Sequence, residues 1–133
     1  MFLENTVNRG NCTIKIMSQP DFGFLYDYIS TLDLDGNNVI VENIISLSTS
    51  SLYNISILEK IFPIFFNSKN FKPFYVQDNN SSIITETRFM PHKLIFPGVS
   101  IQISADHSKA LVTRDQEFVS LLEDYYEHIK KSA

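Results

Sequence analysis

The sequence predicts an α+β fold, a mostly antiparallel sheet with two main helices packed on one face. Three observations predict it. Cys12, Ile14 and Ile16 alternate with Thr13 and Lys15, and Val99, Ile101 and Ile103 alternate with Ser100, Gln102 and Ser104. That period of two gives a strand one wet face. Residues Thr113 to Ala133 unite helical apolar spacing with matching caps and end charges. The turn pair Asp35 and Gly36 and the polar cluster at 78–82 separate strand-like runs at hairpin distances.

In chain order, residues 1–10 carry no strong period and read as an irregular lead-in or a single helical turn. Cys12 to Ile16 form the first strand, which Pro20 ends. Phe22, Phe24, Tyr26 and Tyr28 then alternate with Gly23, Leu25, Asp27 and Ile29, predicting a second strand with two half-apolar faces. A third, rich in β-branched residues, runs from Val39 to Leu47, and the three read as a meander. Ser48 to Ser51 offer N-cap candidates for a helix whose stripe is Leu52, Ile55, Leu58, Ile61, Phe62 and Phe65. Pro63 removes a backbone donor there, so the helix is expected to kink or stop near Phe62. Phe74 to Gln77 and Ile83 to Phe89 form a hairpin around the 78–82 cluster. Pro91, Pro97 and Gly98 mark a connection to the strand at Val99 to Ile103. The last helix starts at a capping box, Thr113 with Gln116, and presents Phe118, Leu121, Leu122, Tyr125 and Ile129. Asp115 and Glu117 suit its positive end, Lys130 and Lys131 its negative end.

The 133 residues suit one domain large enough to bury a core. A formal charge of −4 argues against a phosphate-backbone binder, so nucleic acid is not an expected partner. The single cysteine, the lack of a leader pattern and the lack of a membrane-length apolar run point to a cytoplasmic protein without membrane insertion. Glycosylation-like triplets, among them those beginning at Asn11, Asn54 and Asn80, carry no meaning in that setting.

No catalytic or metal constellation emerges. Asp33, Asp35 and Asn37 mimic the start of a calcium loop, but Gly36 falls at its fourth position and Ile44 at its twelfth. His92, His107 and His128 lack ligand spacing. Cys12 occupies an apolar strand position typical of an inert thiol. Four glycines leave no phosphate loop, and Glu117, Glu123, Asp124 and Glu127 read as a solvated helix face. No cofactor is expected. What stands out is aromatic surplus, eleven Phe and six Tyr, more than a small core readily hides.

The segments SSLYNISILEKIF, VSIQIS and EFVSLLEDYYEHIKK resemble the second helix, a late strand and the last helix of class I type III secretion chaperones, above all the group serving several effectors. In that pattern the last helix carries an aromatic, a leucine four on, paired aromatics and an aliphatic; Phe118, Leu122, Tyr125, Tyr126 and Ile129 match it. The family's opening amphipathic helix has no full counterpart in residues 1–10. The resemblance implies a non-enzymatic cytosolic homodimer that keeps the N-terminal region of a secreted effector extended and export-competent. It places effector binding at Phe22, Phe24, Tyr26 and Tyr28, and the dimer interface at Tyr53, Leu58, Phe62 and Phe66. A different class also fits a small acidic chain: an immunity or antitoxin-like inhibitor of a toxic enzyme.

Overall fold

The computed structural model describes residues 2–18, 23–47, 50–77, 92–104, 106 and 108–131. Its order is α1 (Phe2–Arg9), β1 (Cys12–Met17), α2 (Gly23–Ile29), β2 (Val39–Leu47), α3 (Ser51–Asn67), β3 (Phe71–Gln77), β4 (His92–Phe96), β5 (Val99–Ile103), β6 (Ala110–Thr113) and α4 (Gln116–Lys130). The six strands form one sheet in the order β3-β2-β1-β4-β5-β6. β1 pairs with β2 and β2 with β3 in parallel, whereas β4, β5 and β6 continue antiparallel from β1.

The expected antiparallel meander is therefore corrected to a mixed sheet, and the cause lies at residues 23–29. That stretch is a helix, so β1 reaches β2 by a crossover that leaves the two strands parallel. Its alternation of aromatic residues misleads because Leu25, Tyr26 and Ile29 also fall at helical spacing, and seven residues satisfy both periods. All three are buried.

Helices cover both faces instead of one. Leu3 and Val7 of α1, Leu25 and Ile29 of α2, and Ile57, Ile61 and Ile64 of α3 pack with Ile14, Ile16, Val41, Ile45 and Phe71. On the other face Val119, Tyr126 and Ile129 of α4 pack on Met17, Ile44, Val76 and Ile95. The inner face of α4 is thus turned from the expected one: Leu121 is exposed and Val119 takes its place. Asp115, not Thr113, caps this helix, accepting from the backbone N–H groups of Glu117 and Phe118, because Thr113 is held in β6.

Further corrections follow from burial. The lead-in forms an eight-residue helix because Leu3 and Val7 reach the core. β4 escaped notice since all five of its residues are buried and so show no alternation. Pro97 and Gly98, at φ 76° for the glycine, make the tight turn between β4 and β5. α3 continues through Pro63 to Asn67, since Ile61 and Ile64 anchor both sides of the missing hydrogen bond. The second strand of the expected hairpin, Ile83 to Phe89, lies outside the described residues.

Candidate functional site: the outer face of helix α3

Seventeen residues of α3 hold only two charges, Glu59 and Lys60. Ser50 caps it, its hydroxyl accepting from the Tyr53 N–H at 3.3 Å. At about 100° per residue, Ile57, Ile61 and Ile64 define the face turned to the sheet. An isolated amphipathic helix would be polar opposite them. Here that surface is apolar again: Leu52 is 82% exposed, Ile55 50%, Phe62 42%, Phe65 46% and Phe66 75%. The three rings cluster, with centroids of Phe62 and Phe65 each 5.6 Å from that of Phe66.

Three of the four residues expected at a dimer interface share this side. Leu58, Phe62 and Phe66 form an i, i+4, i+8 row, Leu58 half-buried and the other two exposed. Tyr53 lies about 180° round the helix from Phe62. The expected effector wall fares differently. Tyr26 is buried, donating to the Ser18 carbonyl at 3.1 Å and accepting from Asn43 Nδ2 at 2.7 Å. Tyr28 is half-buried and donates to the Glu4 carboxylate at 3.1 Å; loss of solvent first, then that hydrogen bond and the Glu4 charge, raise its phenol pKa. Phe22 and the Phe24 side chain lie outside the described residues.

Sequence reading missed one polar cluster. Where β1 ends, Ser18 Oγ and His92 Nδ1 are 2.8 Å apart, both buried beside Tyr26 and Asn43. A hydroxyl and an imidazole at that distance meet the distance criterion for a nucleophile and base. The signal in sequence was faint, since 74 positions separate them. The thiol of Cys12 is raised by burial, against the opposing pull of Arg9. It is the chain's single cysteine, so no disulfide couple forms within the chain. Asp35, part of the calcium-like run, is occupied by Ser68 Oγ at 2.8 Å and by the N–H groups of Lys69 and Asn70. Those bonds tie the end of α3 to the turn before β2.

No family model matches the chain. No curated protein matches it either. Among solved structures, it is similar to a solution structure described as a candidate thioredoxin from Neisseria meningitidis, with 15% identity, 93% of this chain and 79% of that chain covered, and a TM-score of 0.38. A likeness at that TM-score carries no argument about activity, and the fold described above rests on this chain's own strand order. The resemblance to type III secretion chaperones is corrected by these findings: no family model supports it, and the parallel strands with helices on both faces are not the arrangement it implied. Among the described residues, no helix is long and apolar enough to cross a membrane.

Proposed function

We propose that this chain is a non-catalytic protein-binding module, cytoplasmic, that assembles as a two-fold dimer through the outer face of α3. The observation that carries the reading is the second apolar face of that helix. Its five exposures amount to nearly three whole side chains left in water, about 5–9 kcal/mol of gross burial per copy. A two-fold pair buries the stripe twice, about 9–18 kcal/mol. Losing free motion on association costs about 4–15 kcal/mol. At the midpoints of those ranges burial exceeds the cost by about 4 kcal/mol, which supports a second copy as the occupant.

The row Leu58, Phe62, Phe66 suggests the geometry. Two such i±4 ridges cross with Phe62 at the axis and Leu58 against the second copy's Phe66. The test is oxidative cross-linking of Phe62→Cys in a Cys12→Ser background. Rapid disulfide formation is expected, with Ser56→Cys on the same helix remaining unlinked. Equal rates for both would remove the proposed axis. A monomer that captures a folded toxic enzyme one to one would favour the inhibitor class instead.

A further inference from the structure

One charge interrupts the apolar face of α3. At about 100° per residue, the direction opposite Ile57, Ile61 and Ile64 falls between Phe66 and Glu59. Glu59 therefore stands in the middle of the exposed surface, with Leu52 and Ile55 before it and Phe62 and Phe66 after it. Its neighbours one turn away along the helix are Ile55, Ser56, Phe62 and Pro63, so no cation occupies the spacings at which helical ion pairs form. Among the described residues, Glu59 makes no ion pair.

The groove between α3 and α2 supplies no compensating charge on this face. The titratable groups it sets near Glu59 are Asp27 and Tyr26 of α2 and Lys60 of α3 itself. Asp27 is exposed and of like charge. Tyr26 is buried, with its hydroxyl engaged by Ser18 and Asn43. Lys60 lies about 100° further round the helix, away from the rings.

Pairing through this face takes the Glu59 carboxylate out of water. With Phe62 at the two-fold axis, Leu58 meets the second copy's Phe66, and Glu59 is the next residue along. A carboxylate moved into apolar contact without a cation beside it takes up a proton in preference to staying charged. The surplus of burial over the cost of association is small beside the desolvation of two such charges, so their protonation decides how tightly the copies pair.

We infer that Glu59 makes the α3 pairing proton-linked: each copy takes one proton from solvent onto its Glu59 carboxylate as the dimer forms, and the dimer tightens as pH falls. The inference rests on the reading of α3 as a dimer face. The dimer then holds two more protons than two separate chains, so its dissociation constant falls by at most about a hundredfold per pH unit of acidification.

The test is sedimentation equilibrium of the full chain at pH 7.8 and pH 6.0, for the wild type, Glu59→Gln and Asp124→Asn. Asp124 is exposed on α4, across the sheet, so its replacement removes the same charge away from the pairing face. The wild-type dissociation constant should fall by about tenfold or more between the two pH values. Glu59→Gln should pair about tenfold or more tightly than the wild type at pH 7.8 and lose most of the pH dependence, while Asp124→Asn follows the wild type. A wild-type dimer whose strength ignores pH, or Glu59→Gln with the wild-type slope, would overturn the inference and leave the α3 pairing standing. So would Asp124→Asn tightening as much as Glu59→Gln, which would assign the effect to net charge. Single chains at both pH values in all three forms would overturn the pairing and the inference together.

Discussion

Replacing Tyr126 with phenylalanine should stabilise the fold. The ring is fully buried among Val119, Met17, Ile44 and Val76, and its hydroxyl makes no hydrogen bond of good geometry, although the Glu42 carboxylate is close enough to act on it as an acceptor. Burial, then the Glu42 charge, Glu42 as an acceptor and the Glu127 charge push the phenol pKa far upward, so it stays neutral. A buried hydroxyl without a partner costs about 1–3 kcal/mol of desolvation, which Tyr126→Phe recovers. The ring remains, so no cavity opens, and Lys15 Nζ keeps its place 5.6 Å from the ring centre. With a urea slope of about 2 kcal/mol/M, the middle of the usual range, the midpoint should rise by roughly 0.5–1.5 M. Far-UV circular dichroism in urea at pH 7 measures it. A fall equivalent to about 1 kcal/mol or more would show that the hydroxyl is bonded, with Glu42 as the acceptor, and would refute the reasoning.

Gly10 sits at φ 71°, and a Cβ there would run into the Asn37 carbonyl oxygen. Gly10→Ala should therefore cost about 1–3 kcal/mol in thermal melting, and an unchanged midpoint would contradict it. The pH response of the α4 face should depend on Glu127. Burial opposes its ionisation, but hydrogen bonds from Lys130 and Lys15 outweigh burial and lower its pKa. A carboxylate whose folded pKa is lowered contributes stability above the unfolded value, about 4.3, and loses it as pH falls through the folded value. Urea midpoints taken from pH 6 down to pH 3 should thus decline, and Lys130→Met should flatten that decline; identical slopes would remove Glu127 from the account.

Elements were legible where polar and apolar residues alternate or recur at helical spacing. β1 and β5 alternate because Thr13, Lys15, Ser100 and Gln102 share the α4 side of the sheet, where Ser100 and Gln102 are themselves buried and no wet face exists on β5, and the terminal helix announced itself by period. β4 was not legible, since burial on both faces leaves HKLIF without a period. Parallel pairing of β1 with β2 hinges on the helical state of residues 23–29, which local pattern left balanced and the burial of Leu25, Tyr26 and Ile29 decides. For the site, the aromatic surplus suggested association without naming an element, and the exposed rings of α3 are a place where the structure leaves aromatic surface. Which rings face outward depends on the rotation fixed by Ile57, Ile61 and Ile64. Tyr26 reads like surface aromatic wall in sequence, yet its hydroxyl finds Ser18 and Asn43 inside the core. The Ser18 and His92 pair was invisible because only the β1–β4 contact brings them together.

The most direct test of the α3 account is solution mass by multi-angle light scattering, for the wild type and for Phe66→Asp, at matched micromolar concentration. Phe66 is three-quarters exposed at the free side of the helix, so the substitution leaves the core of Ile57, Ile61 and Ile64 untouched. The account predicts twice the chain mass for the wild type and a folded single-chain mass of 15.3 kDa for Phe66→Asp. A wild-type chain that stays at the single-chain mass across that range, or a Phe66→Asp chain that remains paired, would contradict it.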